Sequence, residues 1–191
     1  MKNVLDEQLA ELTSGDDAKA EVAAAQIAAS GSKSLPALVR LLDSPDTDTR
    51  WWAIRTLAQM QEPPLDILIR FAGDEDEELR QCAILGLVHH PDERAVPILM
   101  QQLLGTEPVT VNLSASALLE IGTPAVDALL ELPQDAPHLS RVEAVRALAG
   151  IGDGRCIPTL LQVMEEDSPA LHYWAEKGLQ KLGVDTIYFK V

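Results

Sequence analysis

Aromatic residues are scarce in this chain: seven of 191, or 4%. A core without many large rings must be assembled from small and branched aliphatic side chains. Ala and Leu are abundant, which suits close helix–helix packing better than a β-sandwich. Cysteine occurs only twice, at Cys82 and Cys156. Their separation matches no metal-binding spacing and offers no disulfide framework, so each reads as a small buried hydrophobe in a reduced, cytoplasmic setting. No apolar run approaches the roughly 20 residues of a membrane span, and the polar segment after Met1-Lys2-Asn3 does not read as a signal peptide. Positive charge is in deficit, with 15 Lys and Arg against 30 Asp and Glu for a net charge of −15. That balance argues against nucleic acid or an anionic membrane as partner.

What the chain does have is a period. Small residues inside apolar helical segments recur at Ala23, Ala53, Ala83, Ser114, Ala144 and Ala175, at intervals of 30, 30, 31, 30 and 31. Four residues on, one helical turn along the same face, come Ile27, Leu57, Leu87, Leu118, Leu148 and Leu179. Eight residues on come Gly31, Gln61, Pro91, Gly122, Gly152 and Gly183, where a helix should stop. Start signals such as Ser44-Pro45-Asp46 and Asp167-Ser168-Pro169 precede these segments, since proline presets the first turn and carboxylates favour a helix N-terminus. The other half of each period holds a shorter apolar helix, as at 35–42, 65–72, 95–100, 124–132 and 157–164, with 4–12 opening the chain. A pair of antiparallel helices cannot bury a core alone and must stack on its neighbours. The expected fold is all-α: a right-handed α-solenoid of about six two-helix repeats, approximately 1–31, 32–61, 62–91, 92–122, 123–152 and 153–183, forming one domain. The β-branched and aromatic tail 184–191 is expected to cap the last repeat. The connector 132–138, bounded by Pro133 and Pro137, is expected to interrupt the fifth.

The segment Arg141-Val142-Glu143-Ala144-Val145-Arg146-Ala147-Leu148-Ala149-Gly150-Ile151-Gly152-Asp153, and with it Leu79-Arg80-Gln81-Cys82-Ala83-Ile84-Leu85-Gly86-Leu87, resembles the second helix of HEAT repeats. The likeness is to the short HEAT-like repeats of the phycobilisome-lyase type, and it extends over almost the whole chain. It implies the stacked-helix fold. For function it implies an adaptor or scaffold, or a subunit or chaperone handling an open-chain tetrapyrrole. In the second case the pigment's propionates would pair with groove arginines while its rings lie on aromatic or aliphatic side chains.

With the anchor at 0° and 100° per residue, positions −2 and +2 point away from the buried side. On successive second helices −2 is Glu21, Trp51, Gln81, Asn112, Val142 and Tyr173, and +2 is Ala25, Arg55, Leu85, Ser116, Arg146 and Lys177. From the second helix onward these residues are the expected lining of a concave groove. Trp51, Leu85, Val142 and Tyr173 would give apolar and π contacts, Arg55, Arg146 and Lys177 would select acidic groups, and Gln81, Asn112 and Ser116 would complete the surface. Arg50, Arg80 and Arg141 are expected to brace repeats by pairing with loop carboxylates such as Asp48, Asp76 or Glu78. Trp52 and Trp174 are expected to fill space between repeats.

Catalytic constellations are missing. His89-His90 are adjacent rather than i, i+4, so they do not form a helical zinc pair, and the acid run Asp74-Glu75-Asp76-Glu77-Glu78 lacks calcium-loop spacing. The His-Glu dipeptides of HEAT-like deoxyhypusine hydroxylases do not occur. The acidity opposes the basic surface of HEAT-like DNA glycosylases. No metal or cofactor is implied by the residues. The expectation drawn is a non-enzymatic interaction scaffold that receives a segment of another protein or peptide. A bilin lyase subunit or chaperone is the alternative, and a metal-dependent enzyme or DNA glycosylase is more remote.

Overall fold

The period of 30–31 residues becomes pairs of helices, a short one and then a long one. The computed structural model describes residues 4–184, and all regular structure among them is helical. The described residues fall into two compact units divided between His90 and Pro91. The proposed tail 184–191 lies outside the described residues from 185 onward.

Unit 1 contains α1 (Val4–Leu12), α2 (Asp17–Ala29), α3 (Leu35–Leu41), α4 (Thr47–Ala58), α5 (Leu65–Phe71) and α6 (Glu77–His89). Each short helix packs on the long helix that follows it, and the long helices α2, α4 and α6 pack side by side in sequence. The anchors Ala23, Ala53 and Ala83 and their partners Ile27, Leu57 and Leu87 are all completely buried. Small anchors let long helices approach closely. At Gly86 the approach is closer still, since a Cβ there would lie 2.9 Å from the Ala58 Cβ. The acid runs between helices act as caps. Asp46 accepts the Thr49 N–H, and Asp76 accepts those of Glu78 and Leu79, satisfying donors that a first turn leaves open.

Unit 2 contains α7 (Val96–Leu103), α8 (Pro108–Ile121), α9 (Val126–Leu130), α10 (His138–Ile151), α11 (Ile157–Val163) and α12 (Pro169–Lys181). The long helices α8, α10 and α12 again lie side by side. Ser114, Ala144 and Ala175 are buried beneath Leu118, Leu148 and Leu179. The Ser114 hydroxyl is satisfied within its own helix by the Thr110 carbonyl at 2.7 Å. A Cβ on Gly178 would lie 2.9 Å from the Ala149 Cβ and 2.8 Å from Leu160. Helix α9 has five residues where α11 has seven. The Pro133 connector follows it, leaving a cavity of about 120 Å³ lined by Leu129, Leu132, Val145, Leu148 and Val163.

Two of the three bracing arginines bond differently from expectation. Arg50 donates from Nη1 to the Ser44 carbonyl at 2.9 Å, and Arg80 donates to the Asp74 carbonyl at 2.7 Å. Both tie a long helix to the turn before it through backbone oxygens rather than carboxylates. Arg141 does meet a carboxylate, that of Glu166 after α11, with Nη2 2.6 Å from Oε2.

Candidate functional site

The helical wheel that buries the anchors turns positions −5, −2 and +2 outward together, because i, i+3 and i+7 share one face. On unit 1 this face is formed by α2, α4 and α6. Trp51 is half-buried and meets Trp52 edge to face, with ring centroids 5.0 Å apart and an interplanar angle of 87°. Trp52 is buried, as its expected packing role requires. The Arg55 guanidinium lies 5.4 Å from the Trp51 ring centre and 5.9 Å from that of Trp52. Sequence reasoning assigned Arg55 to acidic groups of a ligand. In the structure it already holds one: Nε donates to Glu21 Oε2 at 3.0 Å, and Nη2 reaches Oε1 and Oε2 at 2.8 Å each. These hydrogen bonds raise the Arg55 pKa above its ordinary value. Gln81 donates to Glu77 at 3.0 Å, and Leu85 stands 41% exposed.

On unit 2 the face is formed by α8, α10 and α12. Asn112 is exposed, Ser116 and Val142 are half-buried, and Tyr173 is 53% exposed. Tyr173 meets Trp174 edge to face at 5.0 Å and 78°. The Lys177 ammonium lies 5.8 Å above the Tyr173 ring and has no carboxylate partner among the described residues. Arg146 is held more tightly. Its Nε donates to Glu143 at 2.6 Å, and its Nη2 donates to the Ser116 hydroxyl at 3.1 Å. Glu143 is 8% exposed, so a buried carboxylate neutralises Arg146 from below.

The structure thus groups Trp51, Arg55, Gln81 and Leu85 on packed helices of unit 1, and Asn112, Ser116, Val142, Arg146, Tyr173 and Lys177 on packed helices of unit 2. It also adds residues that the −2 and +2 rows leave out. One turn upstream, at −5, unit 1 carries Asp48 and Glu78, both exposed, whereas unit 2 carries Val109 at 52% and Leu139 at 39% exposure. The signal was in the sequence, in the same periodic count extended by three residues.

Both cysteine thiols are held above their ordinary pKa. Burial pushes the Cys82 thiol up to about 11, outweighing the opposite pull of Arg55, and burial likewise raises that of Cys156. Both therefore stay protonated at neutral pH. No cluster of metal-binding side chains occurs among the described residues. His89 and His90 close α6 at a turn, and His138 Nε2 lies 3.0 Å from the Ser168 hydroxyl. No described helix is long and apolar enough to cross a membrane.

Comparison with known proteins places these features in a family. The model for HEAT repeats matches residues 5–74, and the model for the PBS lyase HEAT-like repeat matches residues 140–166. A phycocyanobilin lyase subunit beta of Pseudanabaena tenuis is 41% identical over 88 residues, 46% of this chain and 31% of that protein. Uncharacterized phycocyanin operon protein Z of the same organism is 32% identical over 142 residues, covering 69% of this chain and 70% of that one. Among solved structures, the complex of CpcE and CpcF of phycocyanin lyase from Nostoc superposes with a TM-score of 0.60 at 22% identity, over 75% of this chain and 96% of that chain. That likeness is one of fold, shared with armadillo-type solenoids. The chain spans between 31% and 46% of the length of the first bilin-related curated relatives it matches.

These findings overturn the expectation of a non-enzymatic scaffold. The similar proteins are named as lyase subunits and as a phycobilisome maturation protein, which favours the bilin alternative over the scaffold. With a periodic core, an outward face on every long helix and an aligned relative over most of both chains, the chain belongs to the HEAT-repeat proteins of the phycobilisome-lyase HEAT-like type.

Proposed function

We propose that the chain acts as a bilin lyase subunit or a chaperone of the same kind, holding an open-chain tetrapyrrole in company with a second protein chain. An open-chain tetrapyrrole is a long, flat, largely apolar body carrying two propionates. The face of α8, α10 and α12 offers matching chemistry in three rows. Val109 and Leu139 form an exposed apolar edge, Val142 and Tyr173 form the middle, and Arg146 and Lys177 form a cationic border. The observation that carries the reading is Lys177 poised over exposed Tyr173 beside that apolar edge, in a chain with lyase-type repeats.

The roles divide by availability. Lys177 has a charge to give a propionate, because no carboxylate among the described residues holds it. Arg146, already neutralised by Glu143, serves better as a fixed hydrogen-bond donor at the border. Tyr173 and the aliphatic row would cover the pyrrole rings and exclude water from one side, and extending a flexible pigment against them would fix its conformation. A protein partner is supported by the solved phycocyanin lyase of similar fold, which is a complex of CpcE and CpcF.

Mixing the purified chain with phycocyanobilin tests the assignment. A red-shifted, sharpened absorption band is expected, and Tyr173→Ala should remove it while far-UV circular dichroism stays helical. A spectrum identical to that of free pigment, alone and with the candidate partner subunit added, would refute the reading.

A further inference from the structure

We infer that the α2–α4–α6 face of unit 1 docks an arginine-bearing segment of a partner protein. The site is a shallow groove of about 400 Å³ walled by Trp51 and Trp52. Four carboxylates line it, from Asp17, Glu21, Asp48 and Glu78, against the one guanidinium of Arg55. Glu21 and Arg55 satisfy each other in a bidentate pair, so they cancel. Asp17, Asp48 and Glu78 have no cationic partner among the described residues. The uncompensated charge is negative, and a propionate or other anion is repelled here.

A guanidinium fits for two reasons. Arg55 itself shows that this geometry receives one, lying over the Trp51 ring while a carboxylate grips its edge. The walls are also apolar, so the methylene stem of an incoming arginine lies along indole while its head reaches a carboxylate. Asp17, Asp48 and Glu78 sit on three successive packed helices. Packed helices lie about 8–10 Å apart, and an extended chain advances about 3.3 Å per residue, so every third residue of a docked segment meets the next carboxylate. The spacing across three helices selects a polypeptide rather than a single small cation.

This inference concerns unit 1 alone and does not rest on pigment binding by unit 2. The test is fluorescence anisotropy of the full chain with a labelled nonapeptide, (Arg-Gly-Ala)3, at about 0.15 M ionic strength, where generic attraction is screened beyond about 8 Å. Saturable binding with a change in tryptophan fluorescence is expected, with none for (Glu-Gly-Ala)3. The double variant Asp48→Asn, Glu78→Gln should weaken binding tenfold or more. Removing two exposed carboxylates from unit 2, Glu120→Gln with Glu131→Gln, should change it less than twofold. Equal weakening by both pairs would mean general charge attraction and overturn the proposal, as would no binding, or spermine competing at lower concentration than the peptide. The phycocyanobilin band, measured on the Asp48→Asn, Glu78→Gln variant, should be unchanged, so failure of one proposal is visible apart from failure of the other.

Discussion

The two units carry the same frame and opposite surfaces. Position −5 is Asp48 and Glu78 in unit 1 but Val109 and Leu139 in unit 2, while the anchors beneath are buried alike in both. The cations differ in the same sense. Arg55 of unit 1 is cancelled by Glu21, whereas Lys177 of unit 2 has no carboxylate partner among the described residues. A periodic core leaves the outward residues of each long helix free to diverge, because the stacking of the repeats is carried by the buried anchors beneath them. Function in such a chain is therefore written in the departures from the repeat, on a scaffold kept constant by its small anchors.

The sharpest way to break the shared frame is to widen a closest approach in each unit. Gly178→Val and Gly86→Val both force a side chain to within 3 Å of a neighbouring Cβ. Overpacking of this kind costs about 1–3 kcal/mol, and these two sites should fall at the upper end, read as lowered midpoints in urea denaturation. A loss in one unit without the other would show that the two stacks do not rest on the same packing rule.

Reversing the exposed cation of unit 2 attacks the contrast itself. Lys177→Glu should weaken phycocyanobilin binding roughly tenfold, about 1.4 kcal/mol, with thermal stability unchanged. An unaltered titration midpoint would move the propionate contact elsewhere.

Unit 1 can be pushed toward the character of unit 2 by a smaller change. Glu21→Gln removes the carboxylate that occupies Arg55 and leaves the guanidinium on its tryptophan. Affinity for the arginine-containing peptide should fall about twofold to threefold, within the range of an exposed ion pair of up to about 1 kcal/mol. Anisotropy titration with the same peptide checks it, and stronger binding would contradict the charge argument.

The smallest expected effect is at the caps. Hydrogen bonds from the Thr49 hydroxyl and N–H hold the Asp46 carboxyl below its usual range. Its folded pKa is thus depressed below the unfolded value of about 3.9. The stabilisation is complete above that value and fades as the pH falls through the lower folded one. Urea midpoints taken between pH 6 and 3 should decline less steeply for Asp46→Asn than for the unaltered chain.

The core was legible from composition and count alone, because a residue such as Leu57 or Leu148 has only one possible environment once the period is known. Partners on the surface were not. The rows place Glu21 beside Arg55 across 34 residues, yet a row does not reveal that the long arginine turns back onto its own neighbour instead of outward to a ligand. The bracing arginines show the same limit. Arg50 and Arg80 had abundant carboxylates within reach in the sequence and took carbonyl oxygens of the preceding turn, which offer fixed positions without ordering a second side chain. His138 likewise finds Ser168 only because α10 and α12 begin side by side.

The half-buried sulfur of Cys82 bears on how the stack of unit 1 meets a change of redox conditions. Oxidation and alkylation proceed through the thiolate, and burial holds this thiol protonated at neutral pH. The side chain therefore serves as packing material where α6 lies against α4, and that contact does not depend on a sulfur that reacts.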